Sequence, residues 1–256
     1  MQAITKIRII YIITTLLCLF MTVWILFAPS SAFVNRENPP GLRDHFRALM
    51  LEPEAPHLPQ KLLTKYEGEN MVAYTHILPA AFWVMAVPFQ FNPWIRKNFK
   101  TFHRFLGRAF VYTSFLLMVG FVAILYRGLQ FENYLEGVER MTLPVIDVPI
   151  GDVLQCVIAG YFLYTAVVAV DYAKKKDFKN HSNWMMRHVA SGMWVVIQRV
   201  LLTFFAPIYL SIYGPEPRSG HFRGSVFSCA ALLGIILSVG GAEYTILLLQ
   251  EKKKGH

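Results

Sequence analysis

Apolar residues along this chain fall into long blocks, separated by shorter stretches that hold nearly all of the charge. From Ile9 to Ala28 there are 20 consecutive positions without a charged side chain, the length with which an α-helix crosses a hydrocarbon core of roughly 30 Å at about 1.5 Å per residue. Further apolar blocks follow at about 71–94, 106–126, 153–172, 184–209 and 226–249. The pattern predicts an all-α integral membrane protein, a single six-helix bundle occupying residues 1–256. Pro79 and Pro88 interrupt the second block; they bend a helix but are tolerated where neighbouring helices satisfy the carbonyls they free. Residues 29–69 are rich in proline and charge, with a turn at Asn38-Pro39-Pro40-Gly41 and a short amphipathic stretch around Leu42 to Leu51, and are expected as a long polar loop outside the bilayer. Lys6 and Arg8 ahead of the first block, with Ser30, Ser31 and Ala32 behind it, also suit a cleaved signal, although its apolar core is longer than the usual ~7–15 residues. Whether the first span is cleaved stays open.

Composition agrees: 55% of residues are hydrophobic, 16% charged, and mean hydropathy is +0.40, against about a quarter charged in soluble domains. Membrane lipids are therefore the first partner. A net charge of +9 would suit nucleic acid, but the basic residues stand in short runs beside apolar blocks, which is the signature of membrane insertion and excludes a nucleic-acid partner. These runs are Lys6 and Arg8; Arg96, Lys97, Lys100, Arg104 and Arg108; Lys174, Lys175, Lys176, Lys179 and Arg187; and Lys252, Lys253 and Lys254. Six spans place all of them on one side, expected to be cytoplasm or matrix, together with both termini. The other side receives loop 29–69, Glu132 to Glu139 and Pro215 to Arg223. Cys18, Cys156 and Cys229 all lie in apolar stretches and offer no disulfide or metal spacing. Lys253-Lys254-Gly255-His256 resembles a dilysine retrieval signal, which would point to the endoplasmic reticulum in a eukaryote. No repeat of fixed period is visible.

Four histidines lie in or beside spans: His76, His103, His181 and His188. Imidazoles on adjacent helices are how transmembrane cytochromes hold haem. His103 and His181 stand at the starts of the third and fifth spans and His188 one turn deeper, all toward the basic side, so any two could serve one haem b iron. An ordinary interfacial role, bonded to carbonyls or headgroups, competes for all three. His76 lies near the opposite face and needs a different polar partner. His45, His57, His221 and His256 stand in loops or the tail.

Arg199 falls near the middle of the fifth span and Glu243 in the inner half of the sixth. A charge at that depth is costly and seeks a partner, so an Arg199–Glu243 structural ion pair is expected, with His76, a tyrosine or a ligand's acidic group as competitors for Arg199. The entrances of two helices gather His103-Arg104-Phe105-Leu106-Gly107-Arg108 and His181-Ser182-Asn183-Trp184-Met185-Met186-Arg187-His188. With the positive ends of the helix dipoles, Arg108 and Arg187 make an anion site plausible there for a phosphate, carboxylate or lipid headgroup.

Gln90-Phe91, then His103-Arg104-x-x-Gly107-Arg108, then His181-x-x-Trp184-Met185-x-Arg187, and finally Arg199, resemble the domain-of-unknown-function 2306 family of predicted membrane proteins, with His76 matching its histidine in the preceding helix. The resemblance covers about residues 70 to 210 and implies a fold, not a substrate. The His-Arg-x-x-Gly-Arg block is also similar to one in ferric-reductase and oxidase transmembrane domains, whose histidines bind haem. This chain lacks their second histidine further along the same helix, and the paired outer histidines of two-haem cytochromes b, which argues against a two-haem wire.

The functional expectation is a polar site lined by His76, His103, Arg108, His181, Arg187, His188 and Arg199, holding one haem b or a quinone-like or anionic ligand for membrane redox chemistry. The alternatives are a structural or accessory subunit of a membrane complex and a small-solute transporter. No nucleotide-binding loop is visible, so an electron donor would be a separate molecule or another membrane subunit. Whether the protein is an enzyme is left undecided.

Overall fold

The computed structural model describes residues 2–27, 66, 68–129, 150–205 and 220–254. Among them all regular structure is helical. The helices are α1 (Gln2–Phe27), α2 (Asn70–Phe91), a short α3 (Pro93–Asn98), α4 (Lys100–Tyr126), α5 (Ile150–Lys174), α6 (Phe178–Val200, continued by Leu201–Phe205) and α7 (Gly220–Lys254). Most of loop 29–69, the stretches 132–139 and 215–219, and the side chains of His45, His57, His221, His256 and Lys252 to Lys254 lie outside the described residues.

Five helices, α1, α2, α4, α5 and α7, are long and apolar enough to cross a membrane by length and composition. Their outward side chains are large and apolar, as with Ile9, Ile12, Leu16, Leu19 and Val23 of α1 or Leu233, Ile236 and Leu237 of α7, the inverse of a surface built for water. The remaining long helix, α6, carries Lys179, Asn180, His181, Asn183, Arg187, His188, Gln198 and Arg199 and does not reach that apolarity. It packs instead against α7, α5 and α1, and between His181 and Thr203 none of its residues is exposed. The most polar long helix therefore occupies the interior, shielded by apolar neighbours.

Side-chain contacts give the directions. Tyr11 donates to the Pro88 carbonyl at 3.1 Å and Cys18 approaches the Met193 sulfur at 3.9 Å. Gln198 Nε2 donates to the Phe227 carbonyl at 3.0 Å, whereas Arg187 meets Glu243. The six long helices thus run alternately in opposite directions. Lys6 lies 6.0 Å from the Tyr244 ring, so the start of α1 and the end of α7 share one end of the bundle. That end also holds α3, the starts of α4 and α6 and the end of α5, and so collects the basic runs.

Local chemistry explains the breaks. Asn92 caps α3, its Oδ1 accepting from the backbone of Trp94 at 2.9 Å and Ile95 at 3.2 Å, with Pro93 in the first turn where its missing N–H costs nothing. Asp177 caps α6 through Asn180, and those hydrogen bonds to its carboxylate hold its pKa below the ordinary value. The bend expected at Pro79 takes a definite form: Ala73–Ile77 is a π-turn. Pro79 cannot donate to the Thr75 carbonyl and its ring crowds it, so the preceding turn widens. Gly120 of α4 packs against that turn, where an added Cβ would lie 2.8 Å from the His76 backbone nitrogen.

Candidate functional site

At the centre of the bundle four helices converge on His188, which is 0% exposed. Its Nδ1 lies 3.0 Å from the Phe162 carbonyl of α5 and 3.3 Å from Thr165 Oγ1, and its Nε2 lies 2.9 Å from Ser114 Oγ of α4. A carbonyl only accepts, so the Nδ1 proton points at Phe162; in the neutral ring the bare Nε2 shares the Ser114 hydroxyl proton with the Phe110 carbonyl, 3.0 Å from that hydroxyl. Ser114 in turn accepts the Trp83 Nε1–H of α2 at 2.9 Å. Rings enclose the imidazole: Phe162 at 4.4 Å, Phe110 at 5.7 Å and Trp83 at 5.8 Å between centroids. Gly192, one turn further along α6, leaves room for the indole, since a Cβ there would come within 2.7 Å of Trp83. The node is a satisfied neutral network in which both imidazole nitrogens have partners within the chain.

This placement corrects the expectation of His188 as an interfacial residue or alternative haem ligand. The helix begins at Phe178 and not at Trp184, so His188 is ten residues in, about 15 Å along the helix and inside the bundle. His76 lies elsewhere, on the π-turn of α2, its Nδ1 3.1 Å from the Leu117 carbonyl of α4. Among the described residues no hydrogen bond or ring contact links it to His103, His181 or His188.

The basic end brings His103 and His181 within electrostatic reach of each other, with Arg96 of α3 beside His103. His181 Nδ1 donates to the Ala169 carbonyl at 2.8 Å, which fixes its ring by the end of α5. His103 Nδ1 is buried without a hydrogen-bond partner. Gln90, itself buried, donates to the His103 carbonyl at 3.3 Å and packs against Gly107, where a Cβ would come within 3.2 Å of its Oε1. This contact gives the Gln90 and Gly107 positions of the motif a physical meaning: glycine lets the glutamine clasp the start of α4. Arg108 is exposed.

Arg187 does not stand with these histidines. It binds Glu243 through two bonds of 2.6 and 2.9 Å and stacks 4.8 Å from the Trp184 ring. The expected Arg199–Glu243 pair is thereby replaced. Arg199 lies at the other end of the interface, over the Phe227 ring at 5.5 Å, and the 16 positions from Phe227 to Glu243 are about 24 Å of helix. With both partners of the Arg187 pair partly solvated, Glu243→Met should cost about 1–2 kcal/mol in the unfolding of the detergent-solubilised protein, and the double Arg187→Met, Glu243→Met variant less. Equal melting of single and double variants would show that the pair contributes nothing.

Sequence reasoning missed Trp83, Ser114, Phe162, Thr165 and Gly192. One signal was available: Trp83 lies mid-span, whereas membrane tryptophans favour the headgroup belts. Among the described residues no group of three or more histidine, cysteine, aspartate or glutamate side chains could hold a metal ion.

No curated protein and no solved structure matches the chain. The profile of a family described as predicted membrane protein (DUF2306) matches residues 73–215, which is more than half of the 256 and takes in α2, α4, α5, α6, the buried node and the basic end. The chain is an integral, multi-pass membrane protein, and it belongs to the DUF2306 family.

Proposed function

We propose that the chain crosses its membrane six times, with the basic end on the cytoplasmic or matrix side, and that this end binds the anionic head of a membrane-soluble molecule between His103 and His181. The sixth crossing is α6, whose 23 α-helical residues reach about 34 Å and whose polar side chains are screened by the helices around it. The observation that carries the binding reading is the buried, unpartnered His103 Nδ1. Leaving a buried polar group unmet costs about 1–3 kcal/mol, which a ligand's hydrogen bond would recover. Arg96 and His181 within electrostatic reach supply positive and hydrogen-bonding groups for a carboxylate, a phosphate or a quinone-like carbonyl. His188 takes no part; it braces the helices that present the site.

The test is thermal unfolding of the detergent-purified protein titrated with short-chain phosphatidylglycerol, against phosphatidylcholine of the same chain length. Wild type should be stabilised by the anionic lipid only, and the His103→Ala, His181→Ala double variant should lose that response. An equal response to both lipids would overturn the reading.

A second reading has its own observation. The His181 Nδ1–H bond to Ala169 leaves Nε2 as the free nitrogen, the arrangement usual for metal-bound histidines, so one haem b between His181 and His103 is the alternative. An oxidised and dithionite-reduced absorption spectrum decides it: a Soret band abolished by His181→Ala supports haem, and a flat spectrum after expression with excess haem removes it.

A further inference from the structure

We propose that the end of the bundle opposite the basic rim holds a second binding site, in which Arg199 and Thr203 of α6 take a carboxylate or phosphate group. Arg199 lies 18 positions beyond His181, about 27 Å along the helix, so this site is separate from the one at the basic end and does not depend on it.

The arginine is largely buried, and among the described residues no carboxylate pairs with it. One guanidinium nitrogen donates to the side-chain oxygen of Gln198, whose own amide nitrogen is committed to the Phe227 carbonyl. The Phe227 ring covers one face, and Tyr66 lies within electrostatic reach. An amide oxygen and a ring face do not neutralise a guanidinium, which has five N–H donors to place. A charge held this way away from water calls for a counter-charge.

Thr203 supplies an independent observation. Thr15, Thr22, Thr113, Thr165 and Thr245 each donate to the carbonyl four residues back, as helical threonines do in apolar surroundings. Thr203 does not. Its Oγ1 is buried and has no hydrogen-bond partner, and it sits in the π-turn Leu201–Phe205, where the four-residue register is broken. Four residues after Arg199 is still close to one turn, even in the widened helix, so the two positions fall on about the same side. A guanidinium lacking an anion and a hydroxyl lacking an acceptor, on one helix face, are the two halves of a site for a carboxylate or phosphate: one oxygen on the arginine, the second accepting from the threonine.

Such a group could belong to a soluble organic acid or to an anionic lipid, and the experiment separates them. Full-length protein in phosphatidylcholine nanodiscs is titrated calorimetrically with sodium benzoate and sodium octanoate, and phosphatidylglycerol retention from mixed nanodiscs is measured by native mass spectrometry. Measured in the His103→Ala, His181→Ala background, which removes the basic-end site, binding in either arm should fall about tenfold or more on adding Arg199→Gln, about three- to tenfold on adding Thr203→Val, and less with Arg199→Lys. Response to the carboxylates assigns the site to a soluble acid, and response to phosphatidylglycerol alone assigns it to lipid. Thr203→Val is nearly isosteric, so an unchanged unfolding midpoint shows that lost binding is not lost folding. The His103→Ala, His181→Ala variant should bind these probes at the Arg199 site as wild type does. No binding in either arm, or binding undiminished in Arg199→Gln and in folded Thr203→Val, overturns the proposal.

Discussion

His188→Ala should lower the stability of the detergent-solubilised protein by about 3–4 kcal/mol and cut the yield of folded material sharply. Two effects add. Removing the imidazole opens a cavity among Phe162, Phe110 and Trp83, and it takes away the acceptor for Ser114 and the donor to Phe162. The cavity is the larger of the two, because the Ser114 hydroxyl can turn to the Phe110 carbonyl at 3.0 Å and the Phe162 carbonyl keeps the Thr165 hydroxyl at 2.9 Å. His188→Gln keeps one donor and one acceptor and should lose less. Thermal unfolding followed by tryptophan fluorescence measures both, with Trp83 reporting from the node. A His188→Ala protein that melts like wild type would mean the four helices are braced elsewhere.

Gly120→Ala is expected to be about as damaging, at about 2–3 kcal/mol or more, although it adds one methyl group to a helix that should welcome alanine. The new Cβ would stand 2.6 Å from the His76 Cβ, 2.8 Å from its backbone nitrogen and 2.8 Å from the Thr75 carbonyl carbon. Backbone atoms cannot swing aside as a side-chain tip can, so α2 and α4 must separate and the His76 bond to the Leu117 carbonyl must lengthen. Gly160→Ala and Gly240→Ala are the controls: nothing lies within 4 Å of a Cβ at either position, and replacing a helical glycine there should be neutral or stabilise by up to ~1 kcal/mol. The comparison of unfolding midpoints isolates the contact. If all three variants melt alike, the close approach of α2 and α4 at Gly120 is not holding them.

Much of the architecture was legible along the chain. Runs such as Ile9 to Ala28 cannot be hidden in a domain of this size except by lipid, and the starts of α1, α4 and α6 with their basic runs fall at one end of the bundle. The sequence grouped His103, His181 and His188 toward one end; the structure has His103 and His181 at helix starts on that end, with α5 and α6 joined by a short turn at Lys175 to Asp177, and His188 apart from them. The Pro79 break was readable as a bend; that it becomes a π-turn presenting His76 to α4 depends on Gly120, from another helix.

The residues whose roles changed share one cause. His188 and Arg199 were placed by depth estimated from a helix start six residues too late, since the apolar run begins at Trp184 but the helix begins at the Asp177 cap. Depth along a helix follows from its true start, and the cap is a polar signal that an apolar-block reading passes over. Partner choice is further from the sequence still. Glu243 takes Arg187 because α6 and α7 are antiparallel with Trp194 against Gly234, where a Cβ would come within 2.6 Å of the Trp194 carbonyl, and that register puts Arg199 beside Phe227. The sequence by itself determined that the chain is a multi-pass membrane protein with a basic end, because hydrophobicity and charge act on each segment separately. Only the tertiary structure decided which helix lies inside, which histidine is a brace and which has a free nitrogen, because hydrogen bonds and close packing depend on which segments meet and in what register.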